Sequence, residues 1–271
     1  MGFIEKILSR KLNFSEEIKS INDLMTESWW SRISIEEAAE DNFKNWKHRR
    51  TFITLSQMKT TMGISDLIKR ACSGHHYIEQ NEFIYYAEYA INTYVIGLRW
   101  AEHPNKEVLF KNVINVLDYC NYEIKWLDND EYYVIIPKNY EINLSVNIIR
   151  EPNLCESIIM YHHHSIKGNI YEKAIILSRL YMYYENKLEK VIVNFDKTFH
   201  NEIKELSNKL KIRHDKPNTK EEIVVGNMTN VELEGWYDKL FALYLRAVIL
   251  GENSKIKPDL EELRKRLNSE E

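Results

Sequence analysis

An uninterrupted helical pattern over residues 171–217 constrains the fold more than any other part of the chain. Neither Gly nor Pro occurs between Asn169 and Lys216. One straight helix of this length would extend roughly 60 Å, which exceeds an ordinary domain. The pattern therefore predicts a long helix, or two helices joined by a bend near residues 194–196. Its apolar and aromatic positions recur about every 3.6 residues, the α-helical period. They are Ala174, Leu177, Tyr181, Tyr184, Leu188, Val191, Phe195, Phe199, Ile203, Leu206 and Leu210.

The remaining periodicity predicts a mainly α-helical bundle with long helices and a small central β-hairpin or short sheet. Residues 79–100 are apolar on nearly all sides, which is typical of a buried central helix. Within residues 122–136, two runs of β-branched and aromatic residues flank the turn residues Asp128–Asp130 and predict an antiparallel hairpin. Apolar residues also alternate within residues 138–150, which leaves a third strand open.

These patterns divide the chain into three regions. Residues 1–121 form an N-terminal helical region, residues 122–150 a small hairpin or sheet, and residues 151–271 a C-terminal region of long helices. A chain of 271 residues is also short enough for one large domain. A single compact domain therefore stays open as the alternative.

Two helices begin with the spacing of a capping box, in which Ser or Thr is followed three residues later by Glu. We expect the first to extend over residues 34–50. We expect the second to end at Gly251, because glycine is the commonest residue just after a helix. The two capping pairs are Ser34 with Glu37, and Thr229 with Glu232.

The composition excludes several classes of protein. A formal net charge of −4 disfavours a surface that is cationic throughout, so any contact with nucleic acid requires a local patch. Cys72, Cys120 and Cys155 are far apart and lack CxxC spacing, which indicates a reducing compartment without a cysteine-based zinc site. The sequence has no long apolar span and no signal peptide, so we expect a cytoplasmic protein without a membrane partner. It also lacks glycine-rich phosphate loops, and we therefore expect no cofactor.

Three consecutive histidines, His162–His164, raise the question of a metal site. Adjacent positions on a helix point about 100° apart, so the three side chains cannot reach one ion from one helix face. We therefore expect no metal ligation here. The preferred interpretation is a helix end, where histidines bind the terminal carbonyl groups or face water.

A cluster of cations from Lys44 to Arg50 surrounds Trp46. Basic residues beside a tryptophan suit contact with a phosphate and stacking on a base. They equally suit the solvated C-terminal end of a helix, where cations complement the helix dipole. Both interpretations stay open.

The main candidate for chemistry is the cationic segment that ends the 171–217 pattern. The Arg213 guanidinium can hold a phosphate bidentately, His214 can move protons near neutral pH, and Asp215 can orient the imidazole. Together they suit phosphodiester cleavage without a metal. The alternative is an ordinary helix C-terminus followed by a turn. The residues expected to bind substrate are Lys209, Lys211, Lys216 and Asn218.

Arg213 and His214 lie at the end of the predicted long helix, and the chain is rich in Ile, Asn, Lys and Tyr. In these features the chain resembles bacterial HEPN-type and abortive-infection proteins. The resemblance implies a helical bundle, commonly dimeric, with metal-independent RNase activity used in toxins and phage defence. The signature of that group is Arg, four to six residues, then His. This chain departs from it, because Arg213 and His214 are adjacent and the literal spacing occurs at Arg70 and His75.

A second class of function is a non-catalytic helical subunit or adaptor. In that interpretation, the aromatic residues of the C-terminal helix and the charged segment after it bind a protein partner or a second copy of the chain. The aromatic residues concerned are Trp236, Tyr237 and Tyr244.

Overall fold

The described residues are mostly helical and include a two-stranded antiparallel sheet, as the sequence predicts. The chain divides between Pro137 and Lys138 into two compact units. The hairpin belongs to the N-terminal unit and residues 138–150 to the C-terminal unit. The computed structural model describes residues 12–28, 33–74, 77–98, 106–127, 132–212 and 225–254.

The N-terminal unit contains six α-helices and the hairpin within its described residues. The helices are α1 (Phe14–Thr26), α2 (Ile35–Asn42), α3 (Leu55–Thr61), α4 (Ile64–Ser73), α5 (Gln80–Leu98) and α6 (Lys106–Tyr119). The strands are β1 (Tyr122–Leu127) and β2 (Tyr132–Pro137).

Helix α5 is the central helix of this unit, as its apolar sequence predicts. Its residues are buried on successive turns, and Phe83, Ala87 and Ile91 lie in the core. Gly97 lets α2 approach closely, because a Cβ atom there would lie 2.7 Å from the carbonyl oxygen of Ile35. The glycine is thus required by the packing of two helices and not by its backbone angles.

The hairpin has the predicted strands and orientation. Tyr122 pairs with Pro137 and Leu127 with Tyr132 in an antiparallel register. The turn residues Asp128–Asp130 lie outside the described part of the chain.

The second edge of β2 is paired with side chains of α5. The Asn92 amide nitrogen donates to the Tyr133 carbonyl at 2.8 Å, and its amide oxygen accepts from the Tyr133 N–H at 2.9 Å. One helical turn earlier, the Glu88 carboxylate accepts from the Ile135 N–H at 2.8 Å. Because Glu88 and Asn92 are both buried, these bonds satisfy backbone groups that water does not reach.

We expect Asn92→Ala to destabilise the N-terminal unit by about 2–4 kcal/mol, because it leaves the N–H and C=O of Tyr133 buried and unpaired. Asn115→Ala is the matched control, since Asn115 is an exposed asparagine on α6 of the same unit. Urea unfolding monitored by circular dichroism measures both changes. Equal stability of the two variants would show that the side-chain pairing of β2 is dispensable.

The cationic segment around Trp46 does not continue the helix predicted over residues 34–50. Its capping box is confirmed, with the Ser34 Oγ accepting from the Glu37 N–H at 3.2 Å. Helix α2 then ends at Asn42, and two short 3₁₀ turns follow. Trp46 is only 7% exposed, so its ring is a core residue. The stacking of Trp46 on a base is therefore excluded by burial.

The C-terminal unit consists of helices in its described residues. They are α7 (Tyr140–Ile149), α8 (Pro152–Met160), α9 (Ile170–Tyr183), α10 (Glu189–Phe195), α11 (Lys197–Lys209) and α12 (Asn230–Asn253). A π-helical turn, Tyr184–Leu188, joins α9 to α10. None of the described helices is long and apolar enough to cross a membrane.

The third strand that alternation allowed within residues 138–150 is not formed, because this segment is helix α7. Asn139 caps the helix by accepting from the Ile142 N–H at 3.1 Å. Ile142, Ser145 and Ile149 are buried at spacings of three and four residues. The sequence of this segment therefore fits both an alternating and a helical pattern of apolar residues. The Asn139 cap favours the helix.

The predicted bend in the long helical pattern is confirmed. Helix α10 ends at Phe195, and Asp196 adopts an extended backbone with φ −151° and ψ 95°. The Asp196 carboxylate then accepts from the Phe199 N–H at 2.9 Å and caps α11. An aspartate thus ends one helix and starts the next without Gly or Pro.

The capping box of α12 is confirmed, but its predicted end is wrong. Thr229 and Glu232 bond reciprocally, and the helix then continues through Gly251 to Asn253. A Cβ atom at Gly251 would lie 2.7 Å from Cδ2 of Leu188. Gly251 therefore allows the close approach of Leu188 and does not terminate the helix.

Candidate functional site: the groove between α11 and α12

Most of the predicted catalytic and binding residues lie outside the described part of the chain: Arg213, His214, Asp215, Lys216 and Asn218. Of the other two, Lys209 is exposed at the end of α11 and pairs with Glu205. Lys211 follows with a left-handed backbone, φ 57°, between the buried residues Leu210 and Ile212. The structure brings Lys209 into a groove with residues of α12 that sequence reasoning did not associate with it.

This groove, which we call the α11–α12 groove, has a volume of about 560 Å³. Its apolar surface comes from Leu206, Trp236, Ala242 and Leu243. Acidic and basic side chains line the rest of it, and both signs are present. These are Glu202, Glu205, Lys209, Lys239 and Arg246.

The spacing of residues on α12 explains how the groove forms. Leu240, Tyr244 and Val248 point into the core of the C-terminal unit and are nearly inaccessible. Trp236, Lys239, Leu243 and Arg246 recur at three and four residues and therefore form a neighbouring stripe on the same helix. On α11, Ile203 and Ser207 are buried, as is Leu210 directly after the helix, and Leu206 lies beside them at the groove.

Each cation of the groove lies close to an acidic or aromatic group. Lys239 Nζ lies 3.9 Å from the centre of the Trp236 ring, a cation–π contact. Lys209 pairs with Glu205, and Arg246 Nε lies 3.6 Å from the Glu141 carboxylate. The groove therefore offers charges of both signs and no concentrated positive potential.

Two of the three aromatic residues predicted to bind a partner are core residues. Tyr237 and Tyr244 are buried, and the Tyr244 hydroxyl lies 2.7 Å from the Ser207 hydroxyl. Trp236 is 38% exposed and remains available for contact. The prediction of an aromatic contact surface on α12 is thus wrong for the two tyrosines, because the helical period turns them inward.

A buried ionic cluster lies elsewhere in the C-terminal unit and was not predicted. Lys173 is only 5% exposed, and its Nζ donates to Asp238 at 2.7 Å and lies 2.9 Å from Glu234. The Tyr161 hydroxyl donates to Asp238 at 3.0 Å, and the lysine lies 4.6 Å from the centre of its ring. A sequence signal existed, since Lys173 lies four residues before Leu177 and therefore shares the face of the helix that carries this apolar residue.

The chemistry of this cluster fits a structural cross-link between α9 and α12. Hydrogen bonds from Lys173 and from the Gly168 N–H lower the pKa of Glu234. Burial and the charge of Asp238 raise the pKa of the Tyr161 hydroxyl, so this hydroxyl stays protonated and acts as a donor. Both carboxylates contact the Lys173 Nζ, so this amine is engaged in cross-linking the helices and is not presented to a substrate.

The histidine triplet follows α8. The His162 ring lies edge-on to Tyr161 and to Phe241, and burial lowers its pKa. His163 is buried, and its Nδ1 lies 2.7 Å from the Ser165 hydroxyl. On α11, burial also lowers the pKa of His200, whose Nδ1 lies 2.8 Å from the Tyr184 hydroxyl.

These two lowered pKa values predict a loss of stability in mild acid. A histidine with a lowered folded-state pKa binds fewer protons than in the unfolded chain, so stability falls as pH drops below about 6.5. Each histidine contributes at most about 1.4 kcal/mol per pH unit. We expect the melting temperature of the wild-type protein to fall between pH 7.5 and 5.5. His162→Gln should make this fall smaller, and the double change His162→Gln with His200→Gln should make it smaller still.

His164→Gln serves as the control for that series, because His164 is exposed. Thermal unfolding followed by calorimetry at several pH values measures the dependence. The assignment would be contradicted by a wild-type protein that is equally stable across this range, or by a double variant with an undiminished dependence.

Comparison of the chain with known protein families, with curated proteins and with solved structures found no match. The geometry of the C-terminal unit is therefore the basis for a functional assignment.

Proposed function

We propose that the chain is a helical binding protein that receives an amphipathic helix of a protein partner in the α11–α12 groove. The observation that carries this proposal is the combination of an apolar surface with charges of both signs around it. Helix-in-groove recognition uses such a surface, since the bound helix contributes apolar side chains at i, i+3 or i+4, and i+7. In this proposal the protein acts in the cytoplasm. The amphipathic helix could also come from a second copy of the chain.

The charges favour a protein helix over an extended nucleic acid strand. A strand brings phosphates of one sign and is bound by clusters of Lys and Arg. In the groove, Glu202 and Glu205 would repel those phosphates, and Glu205 already pairs with Lys209. A partner helix with both acidic and basic flanks meets each of these residues with an opposite charge, which supports specificity.

Trp236 and Leu243 are the expected anchors of the interaction. Tryptophan is enriched among residues that dominate binding energy, and its exposed ring lies at the groove. Leu243 is half-buried, so a partner can cover its remaining surface. Burial of this surface provides the favourable free energy, and the rim charges select the partner.

We expect Leu243→Glu to weaken binding of an amphipathic helix by at least about tenfold, because a carboxylate would be desolvated in the complex. The probe is a labelled 18-residue peptide with Leu at i, i+3 and i+7 and with alternating acidic and basic flanks. Fluorescence anisotropy measures the dissociation constant with a full chain that carries Leu260→Glu, Leu263→Glu and Leu267→Glu, because these changes remove the apolar residues of the segment after α12 and prevent it from competing with the peptide.

Val231→Glu is the matched control, since Val231 is an apolar residue of α12 that is 80% exposed outside the groove. A scrambled peptide of the same composition tests the helical spacing. The proposal fails if the peptide does not bind, if the scrambled peptide binds equally, or if both glutamate variants weaken binding alike.

RNA cleavage in a HEPN-like phage-defence protein is the second candidate function. One feature of the groove favours it, because the exposed Trp236 ring can stack on a base beside the cation Lys209. In this proposal, Arg213 holds the scissile phosphate, His214 transfers the proton and Asp215 orients the imidazole. Substrate is further bound by Lys209, Lys211, Lys216 and Asn218, without a metal or another cofactor.

The second candidate predicts that His214→Ala abolishes RNA cleavage, because proton transfer typically contributes about 10²- to 10⁴-fold. Arg213→Lys should fail as well, since an ammonium group lacks the bidentate fork. The measurement is the integrity of total RNA incubated with the purified full chain, with melting temperatures of both variants as the control. A wild-type chain that leaves all RNA intact would exclude this candidate.

A further inference from the structure

The segment that follows α12 has the sequence properties that the α11–α12 groove requires. Leu260, Leu263 and Leu267 are spaced by three and four residues and would share one face of a helix. Residues 255–271 lie outside the described part of the chain, and they carry charges of both signs. The basic ones are Lys255, Lys257, Arg264, Lys265 and Arg266, and the acidic ones are Asp259, Glu261, Glu262, Glu270 and Glu271.

We propose that residues 259–268, which we call the tail segment, bind in the α11–α12 groove and compete with the partner helix for it. This inference rests on the proposed binding function, and it adds a regulatory element to the same site. The tail segment would then occupy the groove until a partner with higher affinity displaces it.

The groove is within reach of the tail segment. Helix α12 ends at Asn253, and the groove residues of this helix extend from Arg246 back to Trp236. Arg246 is seven residues from Asn253, or about 10 Å along the helix axis at 1.5 Å per residue. Residues 254–258 can span roughly 16 Å when extended, so a helix that starts at Asp259 can return antiparallel along α12.

The charges of the groove and the tail segment are complementary in type. Helix α11 contributes Glu202 and Glu205, and the tail segment contains three consecutive cations, from Arg264 to Arg266. Helix α12 contributes Lys239 and Arg246, and the tail segment contains acidic residues on both sides of its apolar stripe. Opposite charges within reach fix the register of a docked helix more than they add affinity.

Covalent attachment makes even weak docking effective. A short linker gives a tethered segment an effective concentration in the millimolar range. A tail segment with micromolar intrinsic affinity would therefore occupy the groove nearly all the time. A partner helix therefore binds only if its affinity and concentration are high enough to displace the tail segment.

The test uses the full chain and a synthetic labelled peptide with the sequence of residues 255–271. A tail-broken chain carries Leu260→Glu, Leu263→Glu and Leu267→Glu, which remove the apolar stripe and leave α11 and α12 unchanged. We expect the peptide to bind the tail-broken chain at least about tenfold more tightly than the wild-type chain, because the wild-type groove is occupied. Fluorescence anisotropy measures both affinities.

Trp236→Ala in the tail-broken chain locates the binding site. We expect this change to weaken peptide binding at least about tenfold, because Trp236 lies on the groove surface. Val231→Glu in the same background should leave binding unchanged, since Val231 is not part of the groove. Melting temperatures confirm that each variant is folded before the affinities are compared.

The inference is overturned if the peptide fails to bind the tail-broken chain, if it binds the wild-type chain equally well, or if Trp236→Ala has no effect. Its failure differs from a failure of the proposed function. If the tail-broken chain binds the mixed-charge 18-residue peptide but not the 255–271 peptide, the proposed binding function stands. Occupation of the groove by the tail segment is then excluded. A chain that binds neither peptide loses both proposals.

Discussion

The pairing of a sheet edge by helix side chains is the interaction on which the N-terminal unit depends. A two-stranded hairpin is marginal by itself in water, and it needs packing against a helix for stability. Here Asn92 provides a donor and an acceptor to one residue of β2, and Glu88 accepts from the next N–H on the same edge. The central helix thereby replaces a third strand, and three backbone groups on the second edge of the buried strand β2 are paired.

The C-terminal unit solves a comparable problem with charge. Lys173, which lies on the inner face of α9, would be costly there without partners. Asp238 and Glu234 of α12 supply them, and Tyr161 contributes both a hydrogen bond and a ring face. Replacing such a cluster with apolar residues is often neutral for stability, whereas removing one partner is not. Its effect is therefore best understood as fixing how α9 and α12 pair.

Sequence periodicity predicted the helical class, the hairpin strands and the bend at Asp196, because each depends on local spacing and on a capping residue. It failed where tertiary packing decided the outcome. Gly251 has the sequence appearance of a helix stop, but it lies inside the helix, where its missing Cβ leaves room for the Leu188 side chain. The groove was also missed, since it joins Lys209 to residues of a helix more than twenty positions later, and no local pattern records that pairing. Tyr237 and Tyr244 pack in the core, whereas Trp236 lies at the groove. Only the position of each residue around the helix accounts for this difference.

The way α5 pairs with β2 also bears on aggregation. The sequence of β2, Tyr132–Pro137, is rich in β-branched and aromatic residues and has no charge, a composition that favours strand addition between molecules. Because Glu88 and Asn92 bind its second edge, a strand from another molecule cannot pair there while the unit is folded. The other strand, β1, has its own safeguard, since Glu123 and Lys125 place an ion pair along it at 3.0 Å. Glu88 and Asn92, which complete the fold, thus also keep β2 from acting as a template for intermolecular sheets.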